Sequence, residues 1–210
     1  MTSIGILDLQ GGVVEHQAHL ERLGVPVVRV KETTQLAGLA GLILPGGESS
    51  CLTRLFRRYG WIDAIRERFS AGLKLWGTCA GAILLARRID GEPAHLSLMD
   101  IDIRRNAFGS QLDSFQREAM IAAVSDHPLP LTFIRAPQIT RIGDGVRSLL
   151  TLDGYHAAAE DAQALVTIFH PELTSDSAFH RYFCHKCGLK TIAKAREPAR
   201  APWTQLAPIP

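Results

Sequence analysis

The chain has 210 residues, 46% of them hydrophobic and 21% charged, with a formal net charge of +2. That is the balance of a globular protein with one core, and it excludes a strongly basic nucleic-acid binder or a low-hydropathy disordered chain. No stretch approaches the ~20 apolar residues that a membrane span needs. The start, Met1-Thr2-Ser3-Ile4-Gly5-Ile6-Leu7, lacks a basic region followed by a long apolar one, so no secretory signal is expected and the protein is read as cytoplasmic.

Residues 4–9 read as a buried strand. Val13, Val14, Leu20 and Leu23 follow at helical spacing, and Gly24 marks the helix end. Val27-Val28-Arg29-Val30 is a second strand and Leu42-Ile43-Leu44 a third, stopped by Pro45-Gly46-Gly47. One helical stretch is expected to about Phe69, then a fourth strand over Leu73-Lys74-Leu75-Trp76 and another helix. Strand–helix alternation of this kind predicts an α/β fold: a mixed, mainly parallel central sheet flanked by helices on both faces. From about Leu96 short apolar pieces at 101–103, 120–124, 132–134 and 164–169 predict added antiparallel strands. A closing helix is expected over 178–187. One domain is expected over 1–190, with 191–210 a flexible, proline-containing C-terminal extension.

Two strand ends carry the chemistry. In Gly77-Thr78-Cys79-Ala80-Gly81, a glycine-flanked turn between strand and helix has the form of a nucleophile elbow, with Cys in place of Ser. The helix start aims N–H groups and a partial positive charge at the sulfur, which favours the thiolate and can hold a developing oxyanion. Phe169-His170-Pro171-Glu172-Leu173 offers the base. If the segment is extended, His170 and Glu172 point the same way, so the carboxylate orients one imidazole nitrogen while the other faces the thiol. A third turn, Pro45-Gly46-Gly47-Glu48-Ser49, brings backbone N–H groups forward, with Ser49 suited to cap the next helix and Glu48 to meet an ammonium group. Cys184-x-x-Cys187 has no second ligand pair at zinc spacing and reads as a helix-end pair, so no metal site is expected.

Together these motifs resemble the class I, triad-type glutamine amidotransferases. Leu9-Gln10-Gly11 with Glu15-His16, Arg105-Asn106-Ala107-Phe108-Gly109, Asp113-Ser114-Phe115 and Phe133-Ile134-Arg135-Ala136-Pro137 narrow the resemblance to the glutaminase subunits of glutamine-dependent pyridoxal 5′-phosphate synthase. It runs from about residue 4 to 185. The resemblance implies a catalytic triad of Cys79, His170 and Glu172. It implies a glutamine site lined by Gly46, Gly47, Glu48, Ser49, Arg105, Ile134 and Arg135, and an oxyanion site at the N–H groups of Gly47 and Ala80. It further implies no organic cofactor, and ammonia delivery to a (βα)8-barrel synthase subunit in a hetero-oligomer. Asp8, Gly12, Ser50-Cys51, Ser110 and the stretch 153–163 depart from the family's usual residues without touching the triad. The alternatives are a glutaminase subunit of another amidotransferase pathway, a cysteine hydrolase of peptides or esters on a similar sheet, and a non-catalytic subunit keeping the fold.

Overall fold

A computed structural model describes residues 3–105 and 114–192. The expected extension therefore lies, from residue 193, outside the described residues, as do Asn106–Asp113 of the family motifs.

The first half follows the alternating pattern. β1 (Ser3–Leu7), α1 (Val13–Arg22), β2 (Val27–Val30) and β3 (Leu39–Leu44) lead into α2 (Ser49–Arg58), α3 (Trp61–Ser70), β4 (Lys74–Thr78) and α4 (Ala80–Leu85). The single helix expected up to Phe69 is two, because Gly60 at φ 70° reverses the chain between α2 and α3. The second half is β5 (Ala86–Ile89), β6 (Met99–Arg104), β7 (Ser114–Ala119), β8 (Leu129–Ile134), β9 (Gln138–Ile142), β10 (Arg147–Leu152), β11 (Tyr155–Glu160), β12 (Ala164–Thr167) and α5 (Ala178–Lys186).

The main sheet runs β2-β1-β3-β4-β12-β11-β9-β6-β5, with β10 folded back on β11; β7 and β8 form a separate antiparallel pair. From β2 to β12 every pairing is parallel. Its strands are apolar on both faces, as Leu42, Ile43, Leu44, Leu75 and Trp76 are fully buried. Beyond β12 the pairings turn antiparallel, except β5 with β6. The expected mixed sheet with helices on both faces is what forms. Trp76 points to α1 and α5, 4.9 Å from the His180 ring and 5.6 Å from that of Phe183. Gly77, one residue on, points to the opposite side, where a Cβ would stand 2.5 Å from the Gly81 carbonyl carbon in α4.

The expected strand at 120–124 is a turn. Ile121 alone is fully buried there and Met120 is half exposed, so the run is apolar without the alternation a strand face requires. The strand is instead β7, just before it. β9, β10 and β11 were not anticipated individually. β10 and β11 form a two-residue hairpin on Asp153-Gly154, both at positive φ (45° and 85°), with Leu152 paired to Tyr155.

Candidate active site

Cys79 sits between β4 and α4 at φ 48°, ψ −103°, a backbone conformation that side-chain-bearing residues rarely adopt. Three contacts hold it there. Its own N–H donates to the Thr167 carbonyl of β12 at 2.8 Å, while the Ala82 and Ile83 N–H groups donate back to the Cys79 carbonyl. The flanking glycines serve packing rather than substrate access. A Cβ on Gly77 would meet Gly81, and one on Gly81 would stand 2.0 Å from the Leu44 carbonyl oxygen of β3. The elbow is therefore pressed directly onto the neighbouring strand backbone.

β12 lies beside β4 in parallel register, Thr167 opposite Thr78, and the chain continues to His170 just beyond the strand end. The His170 N–H is tied to the Thr132 carbonyl at 2.8 Å. His170 does not continue as an extended strand. It precedes a single 3-10 turn, Pro171–Leu173, with Pro171 setting the first position, and this turn rather than strand alternation brings Glu172 beneath the imidazole. His170 Nδ1–H donates to Glu172 Oε1 at 2.7 Å, and Cys79 bears on the charge of the same imidazole, the two flanking Gly46. With Nδ1 occupied, Nε2 remains for the sulfur. The Cys79 sulfur also lies 3.9 Å from the Ile134 carbonyl.

Burial opposes charge on His170, yet the hydrogen bonds and charges of Cys79 and Glu172 outweigh it and raise its pKa to about 10. Burial likewise pushes the Glu172 carboxyl up, but His16 and His170 outweigh it and hold the carboxyl below its usual range.

The loop after β3 closes over this pair. A Cβ on Gly46 would stand 2.5 Å from His170 Cε1 and 3.4 Å from Cys79 Cβ. No side chain fits there. Gly46 N–H donates to Thr78 Oγ1 at 2.9 Å, so Thr78, which sequence reasoning passed over, anchors the loop to the elbow from a fully buried position. From the other side, Gly11 at φ 94° presses so close that a Cβ would stand 1.8 Å from the Gly46 oxygen. Gln10 Nε2 donates to the Glu48 carbonyl at 2.7 Å, a role only hinted at by the Gln-Gly motif.

Other expected site residues stand as follows. Gly47 is exposed at φ 148°. The cap of α2 is Glu48 and not Ser49: its carboxylate accepts from the Ser50 and Cys51 N–H groups at 3.1 and 3.0 Å. A carboxylate placed one residue earlier reaches two unpaired helix donors at once, which also holds the acid below its usual pKa, first through the Ser50 hydroxyl. Ser49 is buried as the first helical residue, and its carbonyl accepts from Thr53. Ala80 opens α4, buried. Arg105 is paired with Glu92 at 2.9 Å and reaches Ser50 Oγ at 3.5 Å. Arg135, exposed, stands at φ 44° next to Ile134. Cys184 and Cys187 are free thiols at the end of α5, both pushed up to about 12 by burial. Among the described residues no group of three or more His, Cys, Asp or Glu side chains is arranged to hold a metal ion, and no helix is long and apolar enough to cross a membrane.

The sequence profile of the SNO glutamine amidotransferase family matches residues 6–189. The chain belongs to this family. The pyridoxal 5′-phosphate synthase subunit PdxT of Syntrophus aciditrophicus is 59% identical, over 89% of this chain and 84% of that protein. The PdxT of Clostridium kluyveri is 46% identical, over 88% of this chain and 98% of its own length. A crystal structure of a glutamine amidotransferase at 41% identity superposes with a TM-score of 0.83, covering 89% of this chain and 99% of that one.

Proposed function

We propose that this chain is the glutaminase subunit of a glutamine-dependent pyridoxal 5′-phosphate synthase, hydrolysing L-glutamine to L-glutamate and ammonia. The gathering of Cys79, His170 and Glu172 around a side-chain-free loop is the observation that supports this reading, and membership of the family gives it its substrate. The Cys79 thiolate, its proton on His170 Nε2, adds to the side-chain amide carbon of glutamine. Backbone N–H groups of Gly47 and Ala80 take the oxyanion. His170 returns the proton to the departing nitrogen, so the C–N bond breaks, ammonia leaves and a γ-glutamyl thioester remains on Cys79. His170 then removes a proton from water, whose oxygen displaces the thiolate as glutamate forms. Glu172 stays charged and keeps the imidazole in one orientation throughout. No cofactor or metal enters these steps.

Gly46, Gly47, Glu48, Ser49 and Ile134 would border the glutamine side chain, with Arg105 and Arg135 offering guanidinium groups to its α-carboxylate. Ammonia passes to a (βα)8-barrel synthase subunit, in a cytoplasmic hetero-oligomer, where it is joined to a pentose phosphate and a triose phosphate. Ammonia is largely protonated in neutral water and then not nucleophilic, which favours direct transfer between docked subunits. The catalytic unit is one domain over 1–190. Glutaminase assays on Cys79→Ala, with and without the synthase subunit, test the reading: no turnover in either case is expected, against a wild-type rate that rises when the synthase is added. Residual turnover in Cys79→Ala removes the nucleophile, and a wild-type rate indifferent to the synthase removes the partner.

A further inference from the structure

Behind Glu172, on the side of the triad away from Cys79, lies a set of buried polar groups that the reaction above leaves unused. His16 and His19 stand one turn apart on α1, and His180 faces them from α5; none is more than 1% exposed. His16 Nδ1 and His180 Nε2 are 2.9 Å apart. His16 Nε2 faces Glu172 Oε2 at 3.6 Å, and neither atom has a hydrogen-bond partner among the described residues. His19 approaches the same residue from its backbone, its Nε2 lying 3.3 Å from the Glu172 carbonyl oxygen, while Ser177 Oγ lies 2.8 Å and Arg22 Nη2 2.7 Å from its Nδ1. The His19 and His180 rings stack at 4.2 Å, only 7° from parallel.

At 3.6 Å the approach of His16 to Glu172 is just longer than a hydrogen bond, and closing it dictates the proton positions. A carboxylate oxygen is acceptor only, so the nitrogen facing it must carry the hydrogen. A neutral imidazole with hydrogen on Nε2 presents a lone pair at Nδ1, so His180 must donate from its own Nε2. His180 Nδ1 is then the unprotonated end of the chain, and among the described residues no donor faces it. We propose that His16 is a positioning residue of the triad: its neutral imidazole donates from Nε2 to Glu172 Oε2 and accepts from His180 at Nδ1, so that Glu172 is gripped at both oxygens while it orients His170. His19 completes the grip by fixing the Glu172 backbone. Burial lowers the pKa of both His16 and His180, so at neutral pH neither competes with His170 for the full charge of the carboxylate. Around His16 the charged or titratable groups are Glu172, His170, His180, His19 and Glu15.

This inference rests on the Cys79–His170–Glu172 reading and can fail separately from it. In the full chain, with and without the synthase subunit, His16→Leu keeps the buried volume but removes the donor, whereas His16→Gln keeps an N–H toward Oε2. His16→Leu is expected to lower kcat by roughly 10- to 100-fold, the range a lost hydrogen bond to a charged group commands, with KM for glutamine nearly unchanged. His16→Gln is expected to recover most of kcat at an equal melting temperature. Nitrogen-15 spectra of the wild-type histidines are expected to give His16 as the Nε2–H tautomer. A His16 protonated on Nδ1, a wild-type kcat in His16→Leu, or losses in both variants that simply follow their melting temperatures would overturn it. Turnover surviving in a Cys79→Ala control would sink the triad reading and this inference with it; a dead control beside fully active His16 variants would sink this inference alone.

Discussion

Gly81→Ala sets two elementary effects against each other. Gly81 is in α4, so by helix propensity alone alanine stabilises by about 1 kcal/mol. The new Cβ, however, would stand 2.0 Å from the Leu44 carbonyl oxygen, where contacts of real Cβ atoms essentially never fall below 3.0 Å. The obstacle is not a side chain that can swing away. It is the backbone of β3, held on both edges by β1 and β4. α4 must therefore move outward by about 1 Å, and overpacking of a tight contact costs about 1–3 kcal/mol. Because nothing at the contact is free to yield, the cost should lie at the upper end of that range, for a net loss of about 1–2 kcal/mol. For a chain of this size that is a fall in melting temperature of roughly 2–8 °C. The same displacement carries Cys79 and the first N–H groups of α4, so glutaminase activity should fall at temperatures where the variant is still folded. Calorimetry or a circular-dichroism melt, paired with glutamate release, reads both. A variant as stable as wild type, or more so, would mean that propensity wins and that the approach of α4 to β3 is not tight.

Three further outcomes follow from the site. Thr78→Val preserves shape but strips the buried Gly46 N–H of its acceptor, so urea unfolding should report a loss of about 1–3 kcal/mol together with a lower kcat. Glu92→Gln releases Arg105 from its ion pair and should lower KM for glutamine, while Arg105→Gln should raise it, each by up to about tenfold; steady-state kinetics with no change in either would take Arg105 out of the pocket. The raised pKa of His170 makes stability pH-dependent with a definite sign. The folded state holds this proton more tightly than the unfolded chain, so the contribution is complete below about pH 6.5 and is lost as pH rises through about 10. Melts from pH 6.5 to 10 should decline in wild type and flatten in His170→Gln.

Much of the site was legible because its chemistry is written in contiguous residues. Gly77–Gly81 and His170-Pro171-Glu172 each follow an apolar strand, so each was expected at a strand end; that the two strands are neighbours is seen in the fold. What escaped was conformation set by contacts distant in sequence. The entry to the 3-10 turn that carries Glu172 is tied down by the His170 N–H bond to Thr132, which no local pattern records. Thr78 anchors the loop after β3, and its partner Gly46 is 32 residues away. The resemblance places Arg105 in the glutamine site, and its ion pair with Glu92 is a contact that no local pattern records. In the second half, Ala157-Ala158-Ala159 lacks the branched side chains that advertise a strand and is buried all the same. The hairpin before it was readable: Asp153-Gly154 is a strong two-residue turn signal, and it was passed over in a stretch that fits the family poorly.

Cys79 and His170 are carried by β4 and β12, adjacent parallel strands whose rungs run from Leu75 with Ala164 to Thr78 with Thr167. One residue gained or lost in either would slide Cys79 past His170 by about 3.3 Å and turn every following side chain to the other face. Natural variation in length is thus barred from these two short segments, whereas the antiparallel flank beyond β12 can lengthen or shrink its loops without disturbing the alignment.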